Sequence, residues 1–120
     1  MRLWGKCKSV VSPIQTFVDG IPVAASISTY DAHNQIILAS NSLHEKLTGW
    51  KNCDIVGKSL NSFDGLAISE DIKRDMQEDH FTNVDITNSK SNGTPYRINL
   101  TVMGVVIDGQ NYYVAIKTLA

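Results

Sequence analysis

Alternating apolar and polar residues predict a β-hairpin near the start of the chain. Residues 23–29 alternate with a period of two, which is the pattern of a half-buried strand. Asp31 and Asn34 mark a turn, because Asp can bond its own backbone and Asn tolerates a positive φ. Residues 35–39 then read as the returning strand.

Three further strands are predicted in the last third of the chain, at residues 84–86, 96–103 and 112–116. Asn92-Gly93 and Asp108-Gly109 are tight-turn signals that separate them. The middle strand is the longest and alternates cleanly, so we expect it to have one wet face. Gly104 within it predicts a bulge or bend.

Apolar residues at helical spacing precede and separate these strands. Ser12-Pro13 is a helix start, in which the serine caps and the proline supplies the first helical position. Asn41 or Ser42 caps a second predicted helix, which ends at Gly49 and is expected to bury the stripe Leu43, Leu47 and Trp50. Ser69 opens a further helix, whose apolar side is expected to carry Ile72, Met76 and Phe81.

This order of elements predicts one α+β domain, an antiparallel sheet with helices on one face. We expect the domain to span residues 12–120 and residues 1–11 to form an N-terminal helical extension. Composition agrees, because 42% apolar and 19% charged residues in 120 is typical of a single globular domain.

Charge and hydropathy exclude several classes. The net charge of −1 is spread evenly, without the basic patch of a nucleic-acid binder or an anionic-membrane binder. No apolar run approaches the roughly 20 residues of a membrane span, and the basic start lacks the apolar core of a signal peptide. We therefore expect a cytoplasmic protein, in which Cys7 and Cys53 are reduced thiols.

Several strings resemble the PAS (sensory box) family, over residues 12 to 120. Phe17-Val18-Asp19-Gly20-Ile21 resembles the family's entry into its first strand, and Asn41 followed by Thr48-Gly49-Trp50 resembles its Asn…Thr-Gly-aromatic stretch. Ile55-Val56-Gly57-Lys58-Ser59-Leu60 and Asn92-Gly93 resemble two later segments. The resemblance implies a five-stranded antiparallel sheet with short helices packed on one face and an N-terminal helical segment. It also implies a homodimeric sensory module in signal transduction, of the kind found in bacterial two-component or transcription regulation.

The family's cofactor motifs match poorly. Flavin-binding photoreceptors of the family carry a cysteine on the helix after the Gly-Lys segment, where this chain has Asn61-Ser62-Phe63-Asp64-Gly65. We expect no flavin adduct. Haem ligation is also disfavoured, because His80 lies too near the following strand, His33 is a turn residue and His44 is expected to be solvated. No metal ligands are predicted, and the cofactor, if there is one, is unknown.

Enzymatic motifs are lacking as well, so we expect a non-catalytic domain. There is no phosphate-binding glycine loop, GxSxG or HExxH. The acidic residues of the predicted helix after Ser69 alternate with Lys73 and Arg74, as on a solvated helix face. A small enzyme on a related cone-shaped fold is the enzymatic alternative, and it would need an ionisable group inside the core.

Two sets of residues are candidates for binding. The inward-facing apolar residues could line a small ligand pocket or simply fill the core; they are Ile27, Leu38, Leu47, Trp50, Val56, Leu60, Ile98, Leu100, Val114 and Ile116. The N-terminal segment carries more apolar surface than a short helix can bury on its own domain, so we expect it to form a dimer contact; its residues are Leu3, Trp4, Val10, Val11, Ile14 and Phe17.

The sequence thus predicts a PAS-type sensory and dimerisation module that couples its core to an output domain. A kinase, a cyclic-dinucleotide enzyme or a transcription regulator would suit that role, since the chain ends at Leu119-Ala120, directly after the last strand, as a fragment of a signalling protein would. A ligand-free protein interaction domain is the main alternative, and a haem sensor is a weaker one.

Overall fold

Five antiparallel strands and four short α-helices make up the structure, a computed structural model that describes residues 13–63 and 65–120. The helices are α1 (Pro13–Asp19), α2 (Ser42–Thr48), α3 (Asn52–Ile55) and α4 (Glu70–Asp79), with a 3-10 helix at Leu60–Ser62. The strands are β1 (Ala24–Thr29), β2 (Ile37–Ser40), β3 (Phe81–Ser89), β4 (Pro95–Ile107) and β5 (Gln110–Leu119). None of the described helices is long and apolar enough to cross a membrane.

The strands form one sheet in the order β2-β1-β5-β4-β3. The first and last strands of the chain, β1 and β5, are therefore neighbours at its centre, with Ser26 opposite Ala115 and Ile27 opposite Val114. β2 lies outside β1, β4 and β3 lie outside β5, and the helices between β2 and β3 connect the two edges of the sheet. The predicted fold class is confirmed.

Both faces of the central strands are buried. On the side of α4, Ile72 and Met76 pack with residues of β4 and β5; these are Ile98, Leu100, Val102 and Tyr113. On the opposite side, Val18 of α1 packs with Ala25 and Ile27 of β1, Ala39 of β2 and Val114 of β5. We call these the inner core and the outer core. Because successive residues of a strand point to opposite faces, β1 and β5 contribute to both.

The predicted caps and turns are largely confirmed. Asn41 caps α2 by accepting from the His44 amide at 2.9 Å, and Gly49 ends that helix in the left-handed conformation at φ 81°. Ser69 caps α4, accepting from the Ile72 amide at 3.3 Å. Asp108 and Gly109 both have positive φ, as a two-residue hairpin turn of type I′ requires.

The expected apolar stripe of α2 is wrong for Leu43 and holds in part for Leu47 and Trp50, which pack against the inner core and against Ile37 and Ile55 respectively. Leu43 is 39% exposed and Leu47 and Trp50 are half-buried, whereas His44 and Thr48 are fully buried. The cap explains the difference, because Asn41 binds the His44 amide while its side chain is anchored in the core, and this turns the i, i+4 pair His44 and Thr48 toward the sheet.

Two smaller expectations are also corrected. Gly104 pairs regularly with Tyr113, without a bulge, and lies where the Tyr30 ring would approach a Cβ atom to 3.0 Å. The irregularity in register falls instead between Ile27 and Ser28. Phe81 is not on the apolar side of α4; it begins β3 and is 50% exposed.

The buried side chain of Asn41 joins three segments of the chain. Its Oδ1 accepts from the amides of Ala25 at 3.1 Å and His44 at 2.9 Å. Its Nδ2 donates to the carbonyls of Val18 and Ile21, each at 3.2 Å, and of Val23 at 2.8 Å. One amide group therefore ties the end of α1, the entry to β1 and the start of α2.

We expect Asn41→Ala to lower the free energy of unfolding by about 3 kcal/mol, because it removes a helix cap and leaves buried backbone groups unpaired. Asn41→Asp keeps the acceptor but loses the donor to three carbonyls, so it should also destabilise the protein. Urea denaturation measures both effects. Asn92→Ala, in an exposed turn, is the control; a loss at Asn41 no larger than at Asn92 would contradict this account.

Candidate functional site

A small cavity lies in the inner core, with a volume of about 20 Å³, which is room for about one water molecule. Its apolar wall comes from β4, β5 and the stretch before α4; the residues are Leu60, Leu66, Ile68, Leu100, Val102 and Ala115. Its polar wall comes from β1, β3, β5 and the turn before β2; the residues are Ser26, Ser28, Gln35, Asn88 and Lys117.

Lys117 is the most unusual residue of this wall, because a lysine is almost never fully buried without a partner. It is only 5% exposed, and its Nζ lies 3.1 Å from Nε2 of His44, which is 1% exposed. Lys117 enters from β5 and His44 from α2, so the contact joins the sheet to the helix above it. Among the described residues no carboxylate forms an ion pair with Lys117.

Burial shifts the protonation of both groups. Desolvation lowers the pKa of Lys117 from 10.5 to about 8. Desolvation, and in second place the charge of Lys117, hold the pKa of His44 well below its ordinary value of 6.5. At neutral pH the lysine is therefore the charged donor and the histidine the neutral acceptor.

This assignment leaves hydrogen-bonding capacity unused around the cavity. When Nε2 of His44 accepts, Nδ1 carries the proton, and Nδ1 is buried without a partner. Gln35 donates from Nε2 to the Ser28 hydroxyl at 2.7 Å, but its Oε1 is likewise buried and unpartnered. The inner core thus combines a buried cation with polar groups that lack partners in the described protein.

The ten pocket candidates are divided between different parts of the core. Leu60 and Leu100 line the cavity, and Ile98 and Leu47 pack in the inner core beside it. Trp50 packs with Leu60 against Ile37 and Ile55. Four of the ten do not line the cavity but belong to the outer core, on the opposite face; they are Ile27, Leu38, Val114 and Ile116. Val56 is half-buried and does not line it either.

Neither Lys117 nor His44 is among the binding residues predicted from the sequence. β5 is apolar on both faces, so alternation alone did not reveal whether Val114 and Ile116 or Ala115 and Lys117 point inward. The expectation that His44 is solvated is wrong, for the reason given for α2. The available signal was that Lys117 follows Tyr113 and Ala115 at a spacing of two and so shares their face of β5. A solvated lysine at the end of a strand gives the same sequence pattern.

The remaining candidates for cofactor chemistry lie away from the cavity. His80 ends α4 in the left-handed conformation and stacks on the Tyr30 ring at 5.3 Å between centroids. His33 is exposed and lies 2.9 Å from the Gln77 Oε1. Cys53 is disulfide-bonded, so the expectation of a reduced thiol is wrong for it; Cys7 lies outside the described residues. No group of metal ligands occurs within the part of the chain that the structure describes.

The lysine makes stability depend on pH. Between pH 8 and 10.5 the unfolded chain holds a proton on Lys117 that the folded chain has released, so raising the pH through this window stabilises the fold, by about 3 kcal/mol in full. Lys117→Met should lack this rise. The difference in free energy of unfolding between the two proteins, measured from pH 7.5 to 9.5, isolates the effect; a constant difference would contradict it.

Comparison with known proteins agrees with this architecture. No family model matches the sequence, and neither does any curated protein. The LOV protein of Rhodobacter sphaeroides superposes with a TM-score of 0.72 at 18% identity, covering 89% of this chain and 65% of that one. This chain therefore spans less than two thirds of that protein.

Two shorter structures match over nearly their whole length. The PAS domain of an HTR-like protein from Haloarcula marismortui has a TM-score of 0.68 at 15% identity, covering 88% of this chain and 93% of its own. A PAS domain from a two-component sensor histidine kinase has a TM-score of 0.67 at 7% identity, covering 88% and 92%. Identities this low establish the architecture alone, and on that basis the chain has the PAS fold.

Proposed function

We propose that this chain is a non-catalytic PAS sensory module, in which the state of the inner core is passed to the outer core and from there to a partner domain. The observation that carries the proposal is the double-sided packing of β1 and β5. Ser26 and Ala115 line the cavity, while their neighbours Ile27 and Val114 pack with Val18 of α1.

This arrangement suits signalling because a packed core is not continuously deformable. A change in the cavity that shifts the backbone of β5 also moves the alternate side chains against α1. Structural neighbours support the same role, since they include the PAS domain of a two-component sensor histidine kinase. An output domain such as a kinase, a cyclic-dinucleotide enzyme or a transcription regulator, and a cytoplasmic location, remain predictions.

A flavin or haem is not part of the proposal, because the residues do not fit either group. A cavity of about 20 Å³ has room for about one water molecule, far less than either ring system needs. None of the three histidines is among the residues that line it, and neither is Cys53. If the chain is instead a ligand-free interaction domain, a change in the inner core should leave the packing of the outer core unaltered.

Ala115→Val tests the coupling, because it adds two methyl groups to the cavity wall. We expect hydrogen exchange at the amides of residues 18–21, which hydrogen-bond within and after α1, to change several-fold. Thr118→Val, on an exposed position of the same strand, is the matched control. Changes confined to the inner core, with residues 18–21 as in the unmodified chain, would favour the ligand-free alternative.

We further propose that the chain forms a homodimer through its N-terminal segment. Phe17 of α1 is 40% exposed, although Ile14 on the same helix packs against the outer core. An exposed aromatic ring beside a partly buried isoleucine supports a contact that continues across α1. Four of the six candidates, Leu3, Trp4, Val10 and Val11, lie outside the described residues.

Phe17→Glu should weaken the dimer by at least tenfold in Kd, because it places a charge in an apolar contact without disturbing the outer core. Thr16→Glu, an exposed neighbour on α1, should have a much smaller effect. Sedimentation equilibrium measures both. A protein that is monomeric at high concentration, or a Phe17→Glu variant as dimeric as the Thr16→Glu variant, would contradict the proposal.

A further inference from the structure

Lys117 lacks a counter-ion within the described residues. An ammonium group carries three donors, and the one hydrogen bond it makes here is to Nε2 of His44 at 3.1 Å. A buried charge is stable when it is paired and hydrogen-bonded, and is costly otherwise. The described groups packed against it supply no negative charge, since His44 is neutral and Lys46 and Lys90, which share a surface groove with Lys117, are also cationic.

Gln35 provides a second and independent sign of an absent ligand. Its side chain is 5% exposed and lines the cavity, and its Oε1 has no partner. Rotating the amide by 180° merely exchanges the two atoms, because the Ser28 hydroxyl can donate as well as accept. In that orientation an N–H of Gln35 is left without an acceptor. In either orientation one polar atom of the amide has no partner among the described residues.

We propose that this cavity binds a small monocarboxylate, of the size of formate or acetate, with its carboxylate against the ammonium of Lys117. The inference rests on the proposed sensing role and names the class of ligand that is sensed. One carboxylate oxygen accepts from Lys117, and the other accepts from Gln35 or from the hydroxyls of Ser26 and Ser28. The hydrogen or methyl end lies toward Leu100 and Val102.

Size selects the smallest acids. A cavity of about 20 Å³ is smaller than either acid, so the wall has to yield even for formate, and bulkier anions are excluded. Leu66 and Ile68 supply the part of the wall that is least tied to the sheet. In the described chain, the backbone hydrogen bonds of this stretch are local, from the amides of Leu66 and Ala67 to the Phe63 carbonyl, each at 2.9 Å. Their outward displacement makes room without breaking strand pairing.

An NMR titration at pH 7 with sodium acetate tests the proposal. The side-chain amide of Gln35 and the backbone amides of Ser28 and Leu100 should shift and saturate, and Tm should rise by about 5 °C at ten times Kd. Acetamide, which has the shape of acetate without its charge, should leave both unchanged. Sodium sulfate at equal ionic strength controls for general salt effects.

Variants locate the site. Lys117→Met should abolish the acetate shifts while remaining folded, and Lys46→Met, an exposed lysine of the surface groove, should retain them. Equal responses to acetate and acetamide, equal responses to acetate and sulfate, or a retained response in Lys117→Met would each overturn the proposal. Lack of any acetate response would overturn the proposed ligand too. The proposed sensing role would still stand in that case if Ala115→Val changes hydrogen exchange at residues 18–21.

Discussion

The fold depends on one buried amide. Asn41 satisfies backbone groups at the end of α1, before and in β1, and at the start of α2, segments that have no regular pairing with one another. The buried amides of Ala25 and His44 rely on its Oδ1, and leaving a buried group of this kind unpaired costs about 1–3 kcal/mol. Because the same side chain also caps α2, it determines the rotation of that helix, and so it places His44 against the sheet.

The placement of His44 in turn makes room for a lysine inside the domain. Lys117 reaches from β5 to the buried imidazole, and burial depresses the pKa values of both groups. An apolar residue at either position would pack more simply, since a buried polar pair is weak evidence for stability. Lys117 is better understood as part of a polar wall, with Ser26, Ser28 and Gln35, in a core that is otherwise apolar. β1 and β5 connect this wall to the outer core and to α1, which is how one small domain can link an interior site to its surface.

Local features were predicted well where their cause is local. The tight turns at Asn92-Gly93 and Asp108-Gly109, the caps Asn41 and Ser69, and the strand alternation follow from backbone sterics and from hydrogen bonds between near neighbours. The stripe Leu43, Leu47 and Trp50 was wrong for Leu43 and did not include the fully buried His44 and Thr48, because hydrophobicity along a short helix does not determine which side meets the sheet. The pocket candidates divided between two cores for a related reason: in a strand buried on both sides, every position is apolar enough to look inward.

The sequence by itself determined the fold class, the order of its elements and the absence of familiar catalytic motifs, since these depend on periodicity and on residue types at short spacing. Only the tertiary structure decided the site. His44 and Lys117 are 73 residues apart and meet because the last strand of the chain inserts beside the first. Whether a lysine is solvated or buried depends on what is packed over it. For Lys117 that covering is α2, which is distant in the sequence, and the Asn41 side chain sets the orientation of this helix.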